Sequence, residues 1–326
     1  MQSTPISNIN EEEFQIRLNR LRNFKNLPTP EEFSYTENNN TLSTCVWNLD
    51  KRQDWTWSSC INNVMFSIVV DGHGEDTVIN WFKSKPNDYW IHICKEMAPL
   101  RELEEALLKE INSYDSGACI TLVRTNMENN TEIFYLGDAV TQVYVNGTKT
   151  AQTASHTWEN EGEKTRKILE GAIFTDEMML TRLPEITDNY PHMTMATGQR
   201  CNHTPSDLGG DNLQITRALG HNGTTGNNYG YLSVDFQKTD DVKIISASDG
   251  VFDVVHTIES LAEINDATEL VMLAAQRWCG DWNYVHTKGH NCLRCRQNKN
   301  NTPVITIQKG ISPDDISACV IHLPKE

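Results

Sequence analysis

A layered α+β domain, with sheets and helices in separate layers, is the architecture that the pattern of this 326-residue chain calls for. Three observations carry it. Strand-like and helix-like segments come in groups rather than in strict alternation, which argues against a doubly wound parallel sheet. The run Val64 to Val70 is continuously apolar, as in a strand buried on both faces, and it ends in an Asp-Gly reversal. Ala118 to Arg124, Ile133 to Leu136 and Thr141 to Val145 are β-prone runs separated by turns at 127–130 and Asn146-Gly147, the pattern of an antiparallel meander.

The elements follow in order. Residues 1–40 are polar, rich in Asn and Glu and broken by Pro28 and Pro30, and read as an N-terminal extension. Within it Glu11 to Phe24 suits a helix and the TENNNT stretch suits a linker. The folded domain spans 41–326. Glu75 to Lys83 and Pro99 to Tyr114 read as helices, the second with Leu100, Leu103, Ala106, Leu107 and Ile111 along one stripe. Glu159 to Leu169 is a further helix. Residues 172–210 lack periodicity and contain Pro184, Pro191 and Pro205, so they are expected to form an irregular, flap-like insertion. A strand at Val242 to Ala247 leads to helices at Ile258 to Ile264 and Asp266 to Trp278, the latter opening on an Asp266-x-x-Glu269 capping box. The stretch 280–302 again reads as irregular, and Ile316 to Leu323 is the closing strand. No internal repeat is visible.

Composition narrows the function classes. The chain is 38% hydrophobic and 22% charged, as in a soluble globular protein, with a formal net charge of -16 that opposes nucleic-acid and anionic-membrane partners. No segment approaches the roughly 20 apolar residues of a membrane span, and the first residues lack the basic and apolar regions of a signal peptide. Nine scattered cysteines suit reduced thiols in a cytoplasmic or nuclear protein, expected to be a monomer.

The chemistry lies in acidic residues that end apolar runs: Asp71-Gly72-His73-Gly74, Asp249-Gly250 and Asp314-Asp315, together with Asp54. Carboxylates gathered at one end of a set of strands repel one another unless a cation lies among them. Oxygen donors with retained waters suit Mg2+ or Mn2+ rather than Zn2+. For each aspartate the alternative is a turn or cap residue, and Asp-Gly alone says little. Order adds weight. Arg52-Gln53-Asp54 is followed by the Asp71 motif, Phe134-Tyr135-Leu136-Gly137-Asp138, Thr216-Arg217-Ala218-Leu219-Gly220, Ala247-Ser248-Asp249-Gly250-Val251-Phe252-Asp253, and Asp314-Asp315-Ile316-Ser317.

This series resembles the metal-dependent Ser/Thr protein phosphatase family of type 2C (PPM). His156, Glu163, Arg166 and Gly171 also fall at the spacing of one of its motifs, and the resemblance covers about residues 42 to 325. It implies a four-layer α/β/β/α sandwich of two mainly antiparallel sheets flanked by helices, with a two-metal site at one end of the sheets. Residue by residue, it implies that Asp71 bridges two Mg2+ or Mn2+ ions and that the Gly72 carbonyl is a ligand. Asp249 and Asp314 would ligate one ion, Asp54 would hold the metals through water, and Asp138 would take part with Asp249 in a third site. His73 matches a proposed general acid. The implied reaction is hydrolysis of phosphoserine and phosphothreonine in proteins, by in-line attack of a hydroxide shared between the metals and without a phosphoenzyme.

The chain departs from the family in places. Relatives carry a phosphate-gripping Arg five residues before the first site aspartate; here that position is Leu49, leaving Lys51 or Arg52 to reach a phosphate. Ala139-Val140 follows Asp138, and His221 stands where the family has Asp after Gly220. These changes keep a second reading open, a pseudophosphatase or phosphoprotein-binding module, and a third, a hydrolase of small phosphates on the same fold. Separately, His286-x3-His290-x-Cys292-x2-Cys295 offers four ligand types for a structural Zn2+, against the alternative of a solvent loop; His192, Cys201 and His203 read as dispersed loop residues.

Overall fold

The structure is a computed structural model. It describes residues 29–49, 51–157, 160–169, 173–182, 193–202, 215–223, 228–255, 260–278, 281–286, 304–309 and 314–325, with residues 16, 212, 213 and 225; between 170 and 213 and between 279 and 309 the description is of backbone alone.

Two antiparallel sheets face each other. One holds β1 (Glu31–Glu37), β2 (Asn40–Trp47), β7 (Val140–Val145), β8 (Thr148–Gln152), β14 (Val242–Ala247) and β17 (Ile316–Leu323), in the order β1-β2-β17-β14-β7-β8. The other holds β3 (Asp54–Ile61), β4 (Val64–Gly74), β5 (Ser116–Asn126), β6 (Asn130–Leu136) and β13 (Gly230–Asp235), in the order β13-β6-β5-β4-β3, with β12 (Leu219–Gly220) also on β5.

The apolar run of β4 shows why there are layers on both sides. Met65 and Val69 point to the opposite sheet, where they meet Leu42, Val143, Ile244 and Ile321. Phe66, Ile68 and Val70 alternate with them and meet the outer helices α1 (Thr77–Ser84), α2 (Asn87–Lys95) and α3 (Pro99–Glu110). On the far side, the sheet that holds β14 is covered by α5 (Asp249–Phe252) and α6 (Ala267–Trp278) through Ile245, Ala247, Leu270, Val271 and Ala274. The order is therefore helices, sheet, sheet, helices: the four-layer α/β/β/α sandwich. Buried hydroxyls also join the two sheets, with Thr121 Oγ1 2.6 Å from Thr141 Oγ1, itself 2.8 Å from Ser246 Oγ.

Several local expectations need correction. The extension does not run to residue 40, because β1 begins at Glu31 and pairs along its length with β2. TENNNT is the tip of that hairpin, with Asn38 and Asn39 at φ 50° and 66°, a conformation asparagine tolerates well. The meander breaks after β6: β7 crosses to the other sheet and pairs with β14, where Val140 to Tyr144 are all buried. Residues 172–210 are not irregular throughout. β9 (Ile173–Arg182) and β10 (Met193–Asn202) pair antiparallel, and β10 runs parallel to β15 (Asp281–His286), which pairs with β16 (Val304–Lys309). With β11 (Asn212–Leu213) they make a third, five-stranded sheet, whose long-range pairing leaves little periodic trace. The helix expected at 258–264 is not found where described, at 260–264; α6 itself starts at Ala267, with Asp266 Oδ1 accepting from Glu269 N at 2.8 Å. The reciprocal half of that box is shifted by one residue, Glu269 accepting from Asn265 N at 2.8 Å. The helix at 11–24 lies almost wholly outside the described residues.

Candidate active site

Strand register builds the centre. Asp54 on β3 lies directly opposite Asp71 on β4, and Asp71 lies opposite Cys119 on β5, so the three form a row on one face. Because side chains alternate, that face is the one Met65 and Val69 use, turned toward the sheet that holds β2, β7, β14 and β17. His73 follows on the same face, opposite Gly117. Asp138 enters from the β6–β7 crossing, just past Gly137, whose φ of 95° turns the chain there. Asp249 opens α5 after β14, and its N–H points to Asp71 Oδ2 at 3.4 Å.

The result is a compact acidic group. Asp71, Asp138 and Asp249 each offer a carboxylate oxygen, and those atoms lie within 4.8 Å of one another. Burial, and then the Asp249 charge, pushes Asp71 well above the ordinary carboxylate range. The same causes raise Asp138 to about 7. Asp54 is 2% exposed and is pushed up chiefly by burial, partly offset by the nearby Ser317 and Ser248 hydroxyls. Asp314, at the entry to β17, is raised to about 6 by burial and Asp249. Asp54 Oδ2 is buried without a hydrogen-bond partner. A crowded set of hard oxygen donors, raised by burial and by mutual repulsion and holding an orphaned carboxylate oxygen, suits a divalent metal ion.

Gln53, quoted in the sequence only as part of Arg52-Gln53-Asp54 and without a role, ties this centre together. Its N–H donates to Asp315 Oδ2 at 2.7 Å, its amide donates to Gly74 O at 2.7 Å and Asp76 Oδ1 at 2.9 Å, and its carbonyl accepts from Gly72 N at 3.0 Å. One residue thus fixes β3, β4 and the entry to β17. Gly72 allows the approach, since a Cβ there would lie 2.7 Å from Gln53 O.

Leu49, Lys51 and Arg52, which precede Asp54, are placed differently about the cluster. Leu49 is buried in the core around α6, so the position of the family's arginine faces away from water. Lys51 Nζ lies 3.4 Å from Asp314 Oδ1; burial opposes its charge, but Asp314, Asp249 and Asp71 together raise its pKa. Arg52 is exposed, and it is its carbonyl that is engaged, by Lys83 Nζ at 2.9 Å.

Behind the cluster, the motif residues His156, Glu163, Arg166 and Arg217 meet. Glu163, on α4 (Glu161–Leu169), accepts from Arg217 through both oxygens, from Arg166 at 2.8 Å and from Thr216 Oγ1 at 2.7 Å. Despite burial, these donors lower Glu163 to about 2. His156 Nδ1 accepts from Gly137 N at 3.1 Å, and burial, with Arg217 adding to it, holds its imidazole at about 4. The clamp fixes the segment 215–220, which carries Arg217 toward β12 and His221. Gly171 lies outside the described residues, as do His192, His203, His290, Cys292 and Cys295; Cys201 and His286 fall in strands described by backbone alone. The five cysteines whose side chains are described are free thiols.

No family model and no curated protein matches the chain. Solved structures do. One is a C. elegans sex determining protein, with 16% identity, 91% of this chain and 65% of that one covered, and a TM-score of 0.49. This chain therefore spans about two thirds of that protein chain's length. Another is the Mycobacterium tuberculosis serine/threonine phosphatase PstP/Ppp, with 14% identity, coverage of 91% and 99%, and a TM-score of 0.43. A third is the S. agalactiae serine/threonine phosphatase, with 15% identity, coverage of 91% and 100%, and a TM-score of 0.42. In the order of its motifs and in the sandwich that carries them, this chain resembles the metal-dependent serine/threonine phosphatases of type 2C.

Proposed function

We propose that this protein hydrolyses phosphoserine and phosphothreonine in protein substrates, using Mg2+ or Mn2+ held by its aspartates. The observation that carries the reading is the convergence of Asp71, Asp138 and Asp249 oxygens within 4.8 Å, from three separate stretches of chain. Asp71 would sit between two cations, with the Gly72 carbonyl, Asp249 and Asp314 completing the ligand set, Asp54 acting through water, and Asp138 serving a third position with Asp249. Divalent cations in that position supply an acidified water and neutralise phosphoryl oxygens.

The chain's own residues then do the rest. His73, two positions past Asp71 on the same face, donates the proton that a departing serine or threonine oxygen requires. Lys51, rather than Arg52, is the cation within reach of a phosphate at the cluster, as a point charge and not a fork. No thiol nucleophile is invoked: burial raises the Cys119 thiol well above its ordinary value, so it stays protonated.

The test is phosphate release from a phosphoserine peptide with Mn2+. Asp71→Ala and Asp249→Ala are each expected to lower it by about a hundredfold or more. Metal-dependent release that survives both substitutions overturns the assignment.

A pseudophosphatase remains the second reading, favoured by the burial of Leu49 at the phosphate-gripping position and by Ala139 after Asp138. It predicts phosphopeptide binding without release.

A further inference from the structure

His221, a departure from the family motif, is placed against another site residue. Its Nε2 lies 3.1 Å from His73 Nδ1, and its Nδ1 lies 3.0 Å from the Tyr114 carbonyl oxygen. The two rings are nearly parallel, at an interplanar angle of 11°. Three features keep His221 there. It is 1% exposed and stands in the left-handed region at φ 49°, an uncommon conformation for a residue with a side chain. The next residue, Asn222, is also left-handed, and its Oδ1 accepts from Ser113 N at 3.0 Å and Ser113 Oγ at 3.2 Å. Before it, Gly220 N donates to the buried Glu104 carboxylate at 3.3 Å. Gly117 leaves the space for the pair, since a Cβ at that position would collide with both imidazoles.

Hydrogen-bond polarity then assigns the protons. A carbonyl oxygen only accepts, so His221 Nδ1 must carry a hydrogen. In a neutral His221 the remaining nitrogen, Nε2, is an acceptor, and His73 Nδ1 must donate to it. We propose that His221 is the positioning residue for His73: it fixes the imidazole plane and keeps a hydrogen on Nδ1, which leaves Nε2, buried in this structure, as the nitrogen that would exchange its proton with a bound substrate.

The inference rests on the general-acid reading of His73, and the proton count is simple. With one proton added to the pair, Nε2–H of His73 is present whichever ring bears the charge. When that proton passes to the departing serine or threonine oxygen, the electron pair of the broken N–H bond stays on Nε2. Nδ1 keeps its hydrogen, or takes the shared one from His221, and the pair becomes neutral.

Two measurements separate this inference from the proposed activity. Imidazole 15N spectra of the metal-free protein at alkaline pH should show His73 protonated at Nδ1. In His221→Phe that preference should be lost, and in His221→Gln, whose amide oxygen accepts, it should return. In turnover with Mn2+, His221→Phe should lower kcat on a phosphoserine peptide about tenfold, with KM nearly unchanged. The same variant should change 4-nitrophenyl phosphate hydrolysis by no more than about twofold, because that leaving group departs without a proton. His221→Gln should recover most of the peptide rate. A wild-type His73 with its hydrogen on Nε2 and a bare Nδ1 overturns the proposal, as does an equal loss of kcat on both substrates. If the wild-type protein releases no phosphate from either, the hydrolase reading fails, and the spectra still decide the pairing.

Discussion

Asp54, Asp71, Asp138 and Asp314 put carboxyl groups where charge is costly, and the direction of each shift says when. A carboxyl raised in the folded state favours folding below its unfolded pKa of about 4 and loses that contribution as pH rises through the folded value. For Asp138 and Asp314 the folded values are about 7 and about 6, so the window runs from about pH 4 to 7. Asp138→Asn should therefore stabilise the metal-free protein at pH 8, on the order of 2 kcal/mol, and by little at pH 4. Thermal melting at the two values checks this, and an equal gain at both would show that desolvation and repulsion are not the cause. Saturating Mn2+ should erase the advantage, because cations relieve in the wild type what the substitution removes.

At the scale of elements, the site depends on how closely β17 and α5 approach. Ser248 N donates to Ser317 O at 3.0 Å, Ser317 N donates to Ser248 Oγ at 3.0 Å, and Trp278 Nε1 on α6 donates to Gly250 O at 2.6 Å. A Cβ on Gly250 would collide with the Asp315 carbonyl oxygen, which is backbone and cannot swing aside. Gly250→Ala should cost about 2 kcal/mol of stability and lower turnover more than tenfold by shifting Asp249 relative to Asp71. Urea unfolding and the phosphopeptide assay measure the two effects; a variant of wild-type stability and rate would mean the contact is dispensable. Such contacts are invisible in sequence, because Asp-Gly reads as an ordinary turn until the strand beside it is known.

At the scale of the whole molecule, the third sheet stands out. In sequence it lies between α4 and the segment that bears Arg217 and His221, and again between α6 and Asp314. Variable structure joined to a rigid centre is where substrate choice is expected to reside. Replacing residues 173–202 by a short linker should lower dephosphorylation of a phosphoprotein more than tenfold while leaving 4-nitrophenyl phosphate hydrolysis within about twofold. An equal loss on both would place these strands in the catalytic framework instead. None of the described helices is long and apolar enough to cross a membrane.

Hydrophobic period and short punctuated motifs were enough to read the α+β layering, the two-sided burial of Val64 to Val70 and the strands that deliver Asp71, Asp249 and Asp314, because those signals act over a few neighbouring residues. The hairpin at 31–47, the crossing of β7 and the strands within 173–202 were not legible, since each depends on partners distant in the chain. The same holds at the centre. That aspartates would gather was readable from their order. That Gln53 would bind three strands, that Lys51 rather than Arg52 would meet Asp314, and that His221 would lie against His73 required the packed sheets, because a hydrogen bond across 148 positions has no local signature.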